Sequence, residues 1–309
     1  MSSPLSPTDT PVRTYLEHPS RPTLQLPQWA CDSHVHVFGP AQRFAFSAQR
    51  KSTPLDAPKE KLFALHRFLG ITRCVIVQSI VHGLDNSAAE DAIAAGGGNY
   101  LGVALVSVDV SDAELRRLAE AGFRAVRFNF MRHLSGGAPV ERIIALTHRL
   151  SQLDMHLQVH FESELVHDLA PELVKSAVPV VIDHMGRVDA RKGAEHRDFQ
   201  ALMRLLEKPG LHVKVSGIDR IDANAQPGER YAAGVQLAKM LVERFPEKCL
   251  WGSDWPHPNH THIPDDGALL DAIAAIAPNP QHLRQILCDN PQSLFRFPLK
   301  ASGLAMTAR

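Results

Sequence analysis

The strongest constraint on this chain is a rhythm. From residue 30 to residue 255, short apolar runs alternate with amphipathic stretches. Eight runs read as strands: Ala30–Phe38, Cys74–Ser79, Leu101–Val108, Ala125–Phe130, His156–Glu162, Val178–Met185, Leu211–Gly217 and Cys249–Trp255. Within them CVIV, VALVSV and VVID are almost continuously apolar, as parallel strands are when both faces are covered. Between them KEKLFALHRFL, DAELRRLAEAG, PVERIIALTHRL, DFQALMRLLEK and GVQLAKMLVERF carry apolar residues three and four apart, a helical period. Asp112 with Glu114 marks one helix start and Gly122 its end. Eight strand–helix units predict an α/β fold, a single (β/α)8 barrel of the TIM type. An open doubly wound sheet is the alternative, and no glycine-rich nucleotide loop supports it.

A length of 309 residues suits one such barrel. The division expected is an extended, proline-rich arm over 1–27, the barrel over 28–299 and a tail over 300–309. Lys plus Arg and Asp plus Glu are 33 each, so no net field draws the chain to nucleic acid or membrane. Cys31, Cys74, Cys249 and Cys288 form no C-x-x-C pair and read as buried apolar residues in a reducing compartment. The first residues lack the apolar core of a signal peptide, and no run reaches a membrane span. A cytoplasmic protein is expected. Oligomeric state is not readable.

His34 and His36 stand two apart on the first strand, so both point to one face. They precede the polar loop at Gly39, where the C-terminal end of a barrel strand belongs to the active face. Two imidazoles placed this way suit a divalent metal. His160 closes strand five, His184 strand six and Asp254 strand eight. Barrel closure would bring all five groups together, and a carboxylate there can ligate an ion or take a proton from water. A strand-end histidine taken alone reads more often as a hydrogen-bonded core or surface residue than as a ligand.

A cationic set lies at or just past strand ends: Arg127, Arg132, Arg187 and Arg220. Guanidinium groups clustered at one mouth suit the carboxylates or sulfonates of a small anionic substrate. Ser79 and His82 after strand two, and Asn129 on strand four, are candidate polar contacts. The plain alternatives are surface ion pairs and backbone capping.

The motifs DSHVHVFGP, QSIVHG, VRFNF, VIDHMGR and WGSDWPHPN, with the later DNPQSLF, together resemble the amidohydrolase superfamily. They are most similar to the branch containing 2-pyrone-4,6-dicarboxylate lactonase and 4-sulfomuconolactone hydrolase. The resemblance implies hydrolytic opening of a small anionic lactone in bacterial aromatic catabolism. Three departures from the pyrone lactonase pattern stand out. Ser52 and His160 replace tyrosines, and His133 replaces an arginine. The resemblance then implies a divalent metal, with Zn²⁺ the expected ion, held by His34, His36, His160 and Asp254, and His184 left as an acid or base; a metal-free mechanism is the alternative. Asp254 is the expected general base. The departures favour a sulfonated muconolactone as substrate, with 2-pyrone-4,6-dicarboxylate as the alternative and a metal-dependent decarboxylase or hydratase as a further one. A binding protein without catalysis is the non-enzyme reading.

Overall fold

The computed structural model describes residues 11–50, 52–130, 138–223, 231–258 and 262–298. Eight strands run in parallel, each paired with the next in chain order. They are β1 (Cys31–Val35), β2 (Arg73–Val77), β3 (Tyr100–Leu105), β4 (Phe123–Phe130), β5 (His156–Phe161), β6 (Val180–Ile182), β7 (Leu211–Lys214) and β8 (Cys249–Leu250). The helices that cover them include α1 (Lys59–Leu69), α2 (Ser87–Ala95), α3 (Asp112–Glu120), α4 (Val140–Ser151), α5 (Val166–Leu173) and α6 (Arg197–Leu206). This is the expected (β/α)8 barrel.

The last strand meets the first through single backbone bonds beyond β8. Ser33 N donates to Trp251 O (2.9 Å), Asp254 N to His34 O (2.8 Å) and His36 N to Trp255 O (2.7 Å). The approach is close at Gly252, where a Cβ would fall 2.6 Å from the His34 Cβ. Only glycine leaves room there.

Alternation along the strands sorts side chains into two layers. Leu157, Val159 and Phe161 of β5 join the large core under the helices. Val75, Val77, Leu101, Val103, Ala125, Val181 and Leu250 form a second cluster, closed off by Phe295 and Phe297. Gln158 and His160 alternate with the helix-facing residues of β5 and so face inward, as do His212 and Lys214 on β7.

Seven of the eight strands end before the apolar run that predicted them, and three of these early ends shape the site. Strand one stops at Val35, strand six at Ile182 and strand eight at Leu250. In the last two the backbone then turns left-handed, with φ of 48° at His184, 53° at Met185 and 66° at Asp254. A left-handed residue cannot continue a strand ladder. His36, His184 and Asp254 therefore sit just past strand ends. The cap of α3 also differs by one residue: Ser111, not Asp112, accepts from Glu114 N.

The described part of the N-terminal arm lies along the barrel. Val12 N donates to Thr53 O, and Leu55 N to Val12 O. Tyr15 is buried, with its hydroxyl donating to Asp56 O. All four cysteines are buried and unpaired, as expected. Among the described residues no helix is long and apolar enough to cross a membrane.

Candidate active site

Asp254 is the point of convergence. Its Oδ1 lies 3.2 Å from His36 Nε2, 3.6 Å from His34 Nε2 and 3.7 Å from His184 Nε2. Its Oδ2 accepts from Arg220 Nε and Nη2. The carboxylate is buried at 1% exposure. Its positive φ is one that aspartate tolerates better than most residues, at a cost of roughly 1 kcal/mol.

The far side of each ring is held by a polar partner. His36 Nδ1 donates to Val77 O (2.6 Å), His184 Nδ1 meets Ser216 Oγ (2.9 Å), and His160 Nδ1 meets Asn129 Oδ1 (3.3 Å). Such anchoring fixes ring orientation and aims Nε2 at the pocket. For His36 the consequence is specific. A carbonyl only accepts, so Nδ1 carries a proton, and in the neutral ring the Nε2 lone pair then faces an Asp254 oxygen at 3.2 Å. Two acceptors face each other, an arrangement that a cation between them satisfies.

His34, His184 and Asp254 each place a ligand atom within 4.8 Å of the others. His34 Nε2 and His160 Nε2 are buried with no hydrogen-bond partner among the described residues. Imidazole nitrogens and a carboxylate oxygen suit a divalent ion such as zinc. The residues thus fit a metal, but the grouping differs from the one expected. His184, expected to stand apart, joins His34 and Asp254, because the left-handed turn after β6 brings its ring to 4.5 Å from that of His34. His160 packs against His184 at 5.6 Å between ring centroids and falls outside that trio.

Burial favours the neutral form of His34, His160 and His184. It pushes His34 down to about 3, with Lys214 adding to the effect and Asp183 and Asp254 opposing it. His160 is held well below the usual histidine range by burial and then Arg127, and His184 by burial against the opposing pull of Asp254.

Beneath the histidines lies a charged layer that sequence reasoning missed. Asp183 Oδ2 accepts from Arg127 Nε (2.8 Å) and Gln158 Nε2 (3.0 Å). Lys214 Nζ donates to Gln158 Oε1 (2.8 Å) and lies 3.4 Å from Asp183 Oδ1. Burial alone would raise the Asp183 carboxyl, but Lys214, His34 and Arg127 outweigh it and hold it well below the carboxylate range. Burial pushes Lys214 down to about 8, opposed by Asp183. The available signal was spacing: His212, Lys214 and Ser216 stand two apart in an otherwise apolar run.

The remaining predicted residues divide. Arg127 spends Nε on Asp183 and keeps its Nη groups without a partner among the described residues. Arg187 is left-handed, with φ 52°, and lines a cavity of about 120 Å³ together with Arg220. Burial, then the nearby Arg220, lowers the Arg187 pKa. Arg220, expected to hold substrate, is committed to Asp254 and to Pro258 O through Nη2 (2.8 Å), which leaves Nη1. Ser79 and His82, expected at the substrate, instead tie loops. Ser79 Oγ accepts from Val81 N, while the two His82 ring nitrogens meet Ala45 O and Gly39 N. Asn129 serves His160. Arg132 and His133 lie outside the described residues.

A barrel whose strand ends gather histidines, a carboxylate and arginines defines a class, the hydrolases that activate water against an anionic substrate. The chain belongs to the amidohydrolase family, whose profile matches residues 31–297, and it is a lactone hydrolase. It is 41% identical over 285 residues to a 2-pyrone-4,6-dicarboxylate hydrolase of Comamonas testosteroni, covering 90% of this chain and 93% of that one. It is 36% identical over 274 residues to a 4-sulfomuconolactone hydrolase of Hydrogenophaga intermedia, covering 87% and 89%. A crystal structure of a probable 2-pyrone-4,6-dicarboxylic acid hydrolase from Acinetobacter baumannii, with citric acid bound, superposes with a TM-score of 0.77 at 29% identity, covering 87% of this chain and 100% of that one.

Proposed function

We propose that this enzyme opens the ring of a small polycarboxylate lactone, with 2-pyrone-4,6-dicarboxylate as the substrate that fits best. The observation that carries the reading is the placement of Asp254. One oxygen faces three imidazoles and the other is pinned by Arg220. In this position Asp254 accepts the proton of the attacking water and returns it to the ring oxygen as the ester bond breaks. With no ion bound, His184, anchored through Nδ1 by Ser216, is placed to donate from Nε2 toward the oxygen on which negative charge develops; as a metal ligand it would give up that role. The Nη groups of Arg127, the guanidinium of Arg187 and Nη1 of Arg220 hold the flanking carboxylates and fix the carbonyl's approach.

His34, His184 and Asp254 would hold a divalent ion, flanked by His36 and His160. Such an ion, when bound, lowers the pKa of water toward about 7 and polarises a carbonyl.

The relative at 41% identity favours the pyrone dicarboxylate over the sulfonated lactone expected from the sequence. The Acinetobacter protein binds citric acid, a tricarboxylate, which agrees with a polycarboxylate substrate. The second reading, a sulfonated muconolactone, is favoured by Ser52 and His160, which offer no phenol to a second carboxylate. Side-by-side kcat/KM values for the two lactones test the choice. Turnover of the pyrone at least tenfold better is expected, and a preference for the muconolactone reverses the assignment.

A further inference from the structure

Lys214 is wholly buried, and its ammonium carries three N–H donors and no acceptor. Three acceptors surround it: Gln158 Oε1 at 2.8 Å, His34 Nδ1 at 3.1 Å and Asp183 Oδ1 at 3.4 Å. The Gln158 amide is oriented by its own donor, Nε2, which goes to Asp183 Oδ2. Arg127 Nε donates to the same Asp183 Oδ2, while Asp183 Oδ1 is buried with no hydrogen-bond partner among the described residues.

The geometry points to Lys214 as a positioning residue that sets the proton of His34 and competes with a divalent ion for that ring. A nitrogen facing an ammonium must present its lone pair. With Lys214 donating to Nδ1, the His34 proton sits on Nε2 and points toward Asp254 Oδ1, 3.6 Å away. In that state Nε2 offers an ion no lone pair. Ligation by His34 requires the proton to move to Nδ1 and turn to Asp183 Oδ1 at 3.3 Å, the histidine–carboxylate pairing that usually backs a metal ligand. Lys214 then falls back on Gln158 and Asp183. His36 and His160 are under no such restraint, because carbonyl-type oxygens hold their Nδ1 protons and leave Nε2 open. The ring at the centre of the cluster is the one whose far side a cation guards. The inference concerns this ring alone and holds for either lactone.

Two measurements test it on the full-length protein. In metal-free protein labelled with ¹⁵N-histidine, His34, assigned by comparison with His34→Gln, is expected to carry its proton on Nε2. In Lys214→Met the proton moves to Nδ1, and zinc binding, measured by competition with a chromophoric chelator, tightens about tenfold or more. A proton on Nδ1 of His34 in the metal-free wild type overturns the inference even if the variant does not fold. So does a Lys214→Met protein that binds zinc within twofold of wild type. Loss of the lysine charge alone would tighten zinc binding without moving the proton, and that outcome also overturns it.

Discussion

The ring of Tyr15 lies 5.5 Å from that of Trp255, the residue that follows Asp254. Both are buried, so the N-terminal arm packs directly against the loop that carries Asp254. Tyr15→Ala is expected to destabilise the protein by about 3 kcal/mol, as loss of a buried aromatic does. It should also lower kcat several-fold. Tyr15→Phe keeps the ring contact, loses the hydroxyl's bonds to Asp56 O and Lys61, and should retain near-normal kcat. Thermal melts and turnover of the three proteins check this, and equal kcat in Tyr15→Ala and wild type would detach the arm from catalysis.

Asp254→Asn should lower kcat by about a thousandfold, within the range of a lost general base. Asparagine tolerates the left-handed backbone that Asp254 adopts, so the fold should survive. The check is turnover together with a melting curve. Activity within tenfold of wild type would place the base elsewhere.

Arg187→Ala should reduce kcat/KM about 30-fold or more, since truncating one partner of a desolvated ion pair is costly. A neutral diester of the lactone acid should be a poor substrate for the wild type, and Arg187→Ala should barely change its rate. If the diester turns over as well as the free acid, the arginines do not select the substrate.

The opposite face of the barrel opens a cavity of about 490 Å³ lined by His156, His212 and Arg296, among others. Burial holds His212 down to about 4 and His156 well below its usual range. In the unfolded chain such groups take a proton near pH 6.5, at about the model-peptide value. Below that pH the unfolded chain binds more protons than the folded one, so the contribution is complete above about 6.5 and lost as pH falls toward 4. Neither nitrogen of His156 has a partner among the described residues, so no bond is lost on replacing it. Denaturant melts from pH 7 to 4.5 should show stability falling, with a shallower fall in His156→Leu. Parallel slopes for the two proteins would rule out His156 as the source.

The residues that reach the site were legible because their chemistry interrupts an apolar rhythm. His34 and His36 share a face, and VIDHMGR and WGSDWPHPN put polar groups straight after strand-like runs. What the rhythm could not show was where each strand stops. The turns at His184 and Asp254 are left-handed against local preference and are held by distant contacts, such as Asp254 N to His34 O. Hence the membership of the His34–His184–Asp254 trio could not be read from strand order. Lys214 was hidden for the opposite reason: inside LHVKV it reads as a tolerable polar face, and only closure of the barrel makes that face an interior. His82, which meets Ala45 O and Gly39 N, and Ser79, which accepts from Val81 N, show that polar residues near the mouth also serve neighbouring backbone, which sequence does not reveal.

The bonds that join Asp254 to His34 and His36 to Trp255 also close the barrel. Seam and reaction centre are therefore one object, made by segments from opposite ends of the folding unit. Contacts of such long sequence separation are among the last to form. A refolding chain can regain most of its helices and inner strands while its chemistry is still unassembled. Recovery of turnover is thus a late clock for this protein, and should lag behind recovery of helical signal in the same refolding experiment.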